Sequence, residues 1–530
     1  YNVAKRTLQH LEAAKKEGNW QSILKRRNAS LYIIGHEHFN KSLTLDIENK
    51  LMLYMSSVKA IKKIHNKRGN QQNKYYTSDE FEKIFNSVWS KLGQYNSELF
   101  PDERSILESA IFKASPLHKL TPDQEDAKKS IIKKIKSAVK KDETGQIIFI
   151  SGEAGTGKTV LNSSLFYELC TYKKELGLDD MKCHLLVNHD QQLIVYKQIA
   201  EKLNLENDNG DAVSKPTSFI TNHSENNPVD VVLIDEAHLL WTQGKQAYRG
   251  KNQLLDILNR AKVVVVMFDK NQILRTEQYW ENELIESLEQ QAKGKDNYIK
   301  MKNQLRIRAN DDTINWIKRF TKEQVVDKIP RDKHYEIRIF DSPQELQDEI
   351  KNKATKENKG LSRLVATFDW EYKDKKTSTE RLLQYEVSIG KWKMPWNLQI
   401  PVPTKEKRKN KGLAWAEQSQ TIDEVGSTFT IQGFDLNYAG VILGPSVKYK
   451  EGKIVFDPTC SKNQNATKAR SLNDGSKRKF GETLIKNEVN VLMTRGVDGL
   501  YIYAQDPSLR EALKKQMYTI EKAGSINELR

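Results

Sequence analysis

Three clusters of residues have the types and spacing for phosphate chemistry. The first is Gly152-Glu-Ala-Gly155-Thr156-Gly157-Lys158-Thr159, a glycine-rich run closed by a lysine and a hydroxyl. Glycines at these intervals let backbone N–H groups converge on phosphate oxygens; Lys158 is expected at the β- and γ-phosphates of ATP and the Thr159 hydroxyl on Mg²⁺. A glycine-rich surface loop is the competing reading. The second cluster is Asp235-Glu236, two carboxylates that close the apolar run Val231–Ile234. There Asp235 can orient Mg²⁺, and Glu236 can polarise an attacking water. His238, two residues on, reads equally as a coupling residue or as a hydrogen-bonded side chain without function. The third is Asp269-Lys-Asn-Gln272, which follows Val263–Phe268 and would set an amide beside the γ-phosphate.

These residues need strands to present them. Apolar runs at 147–150, 184–187, 231–234 and 263–268 alternate with amphipathic helical patterns, which predicts a parallel sheet covered on both faces. A second set near 337–340, 363–367, 440–443 and 500–503 predicts another α/β unit. The expected boundaries are 1–100 for an N-terminal block, 101–117 for a polar linker, and 118–330 and 331–530 for the two α/β units. Ahead of the first strand, Thr121-Pro122-Asp-Gln124 has the form of a helix-start capping box. Gln124 is also a candidate reader of adenine, and one amide could do both in different states.

In their order, these clusters resemble the motifs of superfamily-1 helicases. The resemblance implies that Gln124, Gly152, Gly155, Thr156, Gly157, Lys158 and Thr159 bind ATP. It likewise implies that Thr159 and Asp235 hold the metal, and that Glu236 and Gln272 act in hydrolysis. Arg306 of Gln304-Leu-Arg306 and Arg495 of Thr494-Arg495-Gly496 are implied to reach the phosphates, the latter completing the γ-phosphate site. Ser427-Thr-Phe-Thr430-Ile-Gln432-Gly433 resembles a motif whose Thr430, Gln432 and Gly433 contact nucleic acid. More specifically, residues 120–505 resemble the superfamily-1 helicase-like domain of bacterial proteins related to the Schlafen helicase module, through Arg363–Trp370, Met394-Pro-Trp-Asn397 and Thr430–Gly440. Phe429 departs from the histidine that many superfamily-1 members carry.

The N-terminal block resembles a GIY-YIG endonuclease domain without its opening strands. Arg6 and His10 are spaced i, i+4 and can share a helix face. Glu48 sits in the helical pattern Leu45, Ile47, Leu51, Tyr54, and Asn66 fits the family's late asparagine. The resemblance implies Glu48 as ligand of Mg²⁺ or Mn²⁺, with Arg6 and His10 at the reaction centre. A helical domain with a surface Arg/His pair is the alternative.

The chain has 530 residues, with 86 Lys+Arg against 70 Asp+Glu, a net charge of +16. Beside a nucleotide site that balance favours a polyanionic partner, nucleic acid, with DNA preferred to RNA. Basic runs at 405–411 and 476–479 are expected as loops along its path, and Trp370, Trp396 and Phe434 as base-stacking candidates. Cys170, Cys183 and Cys460 are far apart with no CxxC pair, so neither a disulfide framework nor a zinc site is expected from them. No apolar stretch approaches a membrane span, which excludes membrane transport and suggests a cytoplasmic location; the start at Tyr1 weakens any argument from a missing signal segment.

The expected architecture is therefore α/β: two tandem RecA-like P-loop NTPase lobes, with a smaller α+β GIY-YIG-like domain ahead of them. The implied function is ATP-dependent helicase or translocase action coupled to a metal-dependent endonuclease, with anti-phage defence suggested by analogy. Protein partners or a homo-oligomer are open. An ATP-gated nucleic-acid sensor is the alternative, and a remodeller of proteins is disfavoured by Gln272, Gln432 and Arg495.

Overall fold

Val- and Ile-rich runs of five to eight residues can bury both faces only between helices, and that burial organises both sheets. The computed structural model describes residues 29–65, 75–206, 210–245, 247–355, 360–372, 385–398, 400–410, 413–431, 433–472 and 474–517. The first sheet comprises β1 (Gln146–Gly152), β2 (Cys183–Val187), β3 (Val213–Ser214), β4 (Val229–Asp235), β5 (Ala261–Phe268) and β6 (Tyr298–Met301). All its pairings are parallel, in the order β3-β2-β4-β5-β1-β6. Alternate β5 residues serve opposite faces. Val263, Val265 and Met267 pack with Ile131, Ile135, Leu161 and Leu165 of the helices Pro122–Lys141 and Lys158–Thr171. Val264, Val266 and Phe268 pack with Leu254, Ile257 and Trp280. Each such side chain contributes about 1.5–3 kcal/mol on burial.

The second sheet is also parallel. It contains β7 (Glu336–Ile339) and β8 (Arg363–Ala366), and after a hairpin of β9 (Glu386–Ile389) and β10 (Trp392–Pro395) it gains β11 (Val425–Gly426) and β12 (Leu436–Leu443). Two further hairpins, β13–β14 (Val447–Lys450, Lys453–Phe456) and β15–β16 (Ala469–Ser471, Lys477–Lys479), precede β17 (Gly496–Ala504). The order is β11-β8-β12-β17-β7. The helix Gly481–Met493 covers one face through Ile485, Val489 and Leu492, and Trp396, Leu346 and Ile350 fill the other.

Residues 29–117 are helical, with no strand among those described, so the α+β form expected of the N-terminal block is not seen there. The helices Lys41–Ser57 and Phe81–Tyr95 meet through Leu43, Ile47, Tyr54, Phe85 and Trp89. Lys202 ties this block to the first sheet: its ammonium donates to the Ser56 and Val58 carbonyls at 2.8 Å each.

Three expectations are corrected. The 101–117 stretch is no free linker: it forms the short helices Glu103–Leu107 and Ala110–Lys113, and Ala110 and Ala114 enter the first core. The basic run at 405–411 is a helix, Thr404–Asn410, as far as it is described, and 477–479 is strand β16. Both keep their cations in solvent, so neither needed an apolar period to be regular. No helix among the described residues is long and apolar enough to cross a membrane.

Candidate nucleotide site

The phosphate-loop cluster lies between the carboxyl end of β1 and the helix Lys158–Thr171, where open α/β sheets take ligands. Gly155 and Gly157 have φ of +82° and +76°, a region closed to most side chains. A Cβ on Gly157 would come within 2.1 Å of Gln124 Nε2. Lys158 is buried, and its ammonium donates to the carbonyls of Gly152 (2.7 Å) and Glu153 (2.9 Å), with Asp269 Oδ2 at 3.8 Å. Thr156 is buried with its hydroxyl donating to Glu153 O, and Thr159 lines the cavity in front of the loop.

Asp235 and Glu236 divide at the end of β4. Asp235 is buried; its Oδ2 accepts from Gln192 Nε2 (2.7 Å) and the Tyr196 hydroxyl (2.6 Å), while Oδ1 has no hydrogen-bond partner among the described residues. Burial, then the neighbouring Glu236 charge, raises its pKa. Glu236 has a φ of +49°, which turns its side chain into the cavity. A non-glycine residue in that conformation stores strain of a kind that collects at functional sites. Burial alone would raise its pKa, but His238, Lys158, Arg495 and Arg306 outweigh burial and hold it ionised. His238, fully buried 3.2 Å from Glu236, is pushed toward its neutral form by burial.

The second sheet closes the opposite wall. Arg495 is fully buried at the start of β17; it donates to the Val491 carbonyl (3.0 Å), the Phe434 carbonyl (3.3 Å) and, across the gap, Gln272 Oε1 (3.1 Å). Burial, aided by the nearby Arg306 charge, lowers its pKa to about 9, so it stays cationic at neutral pH. Gln272 in turn donates to Asp269 (2.8 Å). Lys158, Asp269, Gln272 and Arg495 thus form one chain of contacts between the sheets. Arg306 runs the other way, its Nε 2.6 Å from Asp435, with Nη1 buried and unpartnered among the described residues. The cavity between these walls has a volume of about 530 Å³, and Gln124, Lys158, Glu236, Gln272, Arg306 and Gly433 all line it.

Gln124 closes the expected capping box, its Oε1 accepting from Thr121 N (3.0 Å), and its Nε2 donates to Gly157 O (3.4 Å) beside the cavity. Other residues fall elsewhere. Thr430, expected on nucleic acid, is buried, with its hydroxyl exchanging hydrogen bonds with Ser427, because it closes a local helical turn. Gly433 faces the cavity rather than an outer surface, and Gln432 lies outside the described residues. Trp396 is core, fully buried, so it offers no stacking face. Glu48 is exposed on the helix Lys41–Ser57 and joins no group of three metal-ligating side chains among the described residues. Arg6, His10 and Asn66 lie outside them.

Gln192, Tyr196 and Asp435 belong to the site without having been singled out. Gln192 and Tyr196 share a helix face at i, i+4, a spacing that any amphipathic helix shows.

Residues 145–506 match the family of the Schlafen group 3, DNA/RNA helicase domain. An uncharacterized protein of Saccharomyces cerevisiae, YPL245W, is 34% identical over 401 residues, which cover 69% of this chain and 83% of the yeast protein. The crystal structure of Pif1 helicase from Candida albicans aligns with a TM-score of 0.21 and 13% identity, over 44% of this chain and 54% of that one.

Proposed function

The chain belongs to the Schlafen group 3 family of DNA/RNA helicase domains, and from that premise we propose that it is an ATP- and Mg²⁺-dependent nucleic-acid translocase. In this reading 118–330 and 331–530 act as RecA-like lobes that close on one triphosphate. The observation that carries it is a pair of leftover groups, one on Arg306 in the cavity wall and one on Asp235, the chain neighbour of the cavity-lining Glu236. Asp235 Oδ1 and Arg306 Nη1 are buried without partners, one an acceptor and one a donor. Such groups are costly unless a ligand completes them. A metal triphosphate offers a cation to the first and phosphate oxygens to the second, so the residues fit it.

Bound ATP·Mg²⁺ would supply the scissile phosphoanhydride and a cation to offset its charge. The protein's own part is positional. Lys158 can exchange loop carbonyls for phosphate oxygens, and ionised Glu236 can orient water. Arg495 brings positive charge from the far wall and Arg306 from the near one, while Gln272 links the far wall to Lys158 through Asp269. The partner is nucleic acid, drawn by the +16 charge, with DNA the first to try.

The test is ATP hydrolysis with and without single-stranded DNA or RNA. Stimulation by nucleic acid is expected, with loss of turnover in Lys158→Ala. In Arg495→Ala a loss of about 10³-fold or more is expected while nucleotide binding persists. Hydrolysis that ignores nucleic acid would sink the proposal. One observation favours a second reading, an ATP-gated sensor: Arg470 of the β15–β16 hairpin, in the second α/β unit, is buried among Thr242, Thr276 and Tyr279 of the first unit, which restrains the separation of the two. Strand separation on a tailed duplex distinguishes a motor from a sensor.

A further inference from the structure

The first sheet gathers a second set of ligand-type side chains, away from the nucleotide cavity. His184 is the second residue of β2 and is buried; Asp211 precedes β3; His223 caps the end of the helix Pro216–Asn222. One ligand atom from each lies within 4.8 Å of the others. Val187, at the far end of β2, is in register with Asp235. His184 is thus three residues, about 10 Å, back from the level of the catalytic carboxylates.

The backbone orients both imidazoles. His223 Nδ1 is 3.0 Å from the Phe219 carbonyl, and His184 Nδ1 is 3.4 Å from the Asp211 carbonyl. A ring N–H engaged by a carbonyl leaves Nε2 as the lone-pair nitrogen, which is how metal-binding histidines are commonly set. His223 Nε2 already stands 3.7 Å from Asp211 Oδ2. Packing fixes the rings as well: Phe219 stacks on His223 with centroids 4.3 Å apart, and His184 meets His223 edge-on at 4.8 Å.

We propose that His184, Asp211 and His223 form a zinc site that pins β3 and the helix Pro216–Asn222 to β2. Two imidazole nitrogens and one carboxylate oxygen suit Zn²⁺ far better than Mg²⁺, with water completing a tetrahedron. Zinc bonds near 2.0–2.1 Å put neighbouring donors about 3.4 Å apart. The 3.7 Å pair is close to that spacing, and all three donors already lie within 4.8 Å of one another. The edge gains most from such a clamp, since β3 pairs with β2 at only two positions. No cysteine takes part, which is why cysteine spacing carried no sign of it.

The test uses the full chain, stripped with chelator and free of nucleotide. Zn²⁺ is titrated in competition with a chromophoric chelator, and Co²⁺ is added for its visible spectrum. The expected result is one zinc per chain, tetrahedral cobalt bands, and a thermal midpoint raised by Zn²⁺ but not by Mg²⁺. His223→Gln and Asp211→Asn, conservative changes at partly exposed positions, should each weaken zinc binding at least tenfold and abolish the cobalt bands. Absence of zinc binding in the unaltered chain overturns the proposal. So does binding that survives unchanged in both variants, as exposed His36 and His38 could provide. None of these readouts depends on ATP hydrolysis, so the site stands or falls apart from the motor.

Discussion

Gln124 shows how one side chain serves a helix and a site together. Its Oε1 accepts from Thr121 N and closes the capping box, which leaves the amide nitrogen on Gly157 O at the mouth of the cavity. The box tolerates glutamate as well as glutamine at this position. Gln124→Glu should therefore keep the cap and the thermal midpoint while removing the donor. The expected outcome is an ATP KM raised about tenfold and a smaller preference for ATP over GTP, equivalent to about 1.4 kcal/mol. Unaltered nucleotide kinetics in that variant would leave Gln124 as a cap alone. At this scale the sequence discloses groups but not their partners. Lys158 and Asp235 stand out by type and spacing and Arg495 only through the family resemblance, whereas the Tyr196–Asp235 and Arg306–Asp435 contacts are made by tertiary packing that chain spacing does not encode.

Strands were the most legible elements, because a run such as Val263–Phe268 has few ways to bury itself other than inside a sheet. β3 and β6 escaped notice for the opposite reason: two residues in one, and a half-exposed Tyr-Ile-Lys-Met in the other. The helix Gly481–Met493 adds a property that no pattern announces. Its Glu488 is buried; Oε1 accepts from Phe368 N (3.1 Å) and the Thr428 hydroxyl (3.4 Å), while Oε2 has no partner among the described residues. Burial, reinforced by the Asp369 charge, pushes its pKa up to about 8. The unfolded value is near 4.3. Between these values the native state holds the extra proton, so Glu488 makes stability fall as pH rises through that window. Glu488→Gln imitates the protonated form. The unaltered protein's thermal midpoint is expected to drop between pH 6 and pH 9, and the variant's to drop clearly less. Parallel curves for the two proteins would mean that Glu488 is ionised throughout.

Across the whole molecule several sets of contacts join the two α/β units, among them Asn487 Nδ2 on the Lys270 and Ile273 carbonyls, and two of these joints differ in kind. One joint is the cavity, where Arg495–Gln272 and Arg306–Asp435 cross between the walls. The other is the arm around β15 and β16. Arg470 donates to Thr242 Oγ1 (2.8 Å) and to the Thr242, Thr276 and Tyr279 carbonyls, Lys468 pairs with Glu277, and Phe480 stacks on Tyr279 with centroids 3.7 Å apart. Among the described residues none of the candidate catalytic groups contacts Lys468, Arg470 or Phe480, so any effect of this arm on nucleotide would run through the spacing of the walls. If it holds Arg306 and Arg495 within reach, removing it lowers the fraction of chains able to grip ATP, and apparent affinity falls in proportion. Arg470→Ala combined with Phe480→Ala is expected to raise the ATP Kd about tenfold and to leave kcat within about twofold. That shift needs about 1.4 kcal/mol, less than the several hydrogen bonds of a buried guanidinium can supply. Titration with a fluorescent nucleotide beside steady-state turnover separates the two quantities. Unchanged affinity would assign the spacing to the cavity contacts alone, and a fall in kcat with affinity intact would place the arm in the working stroke.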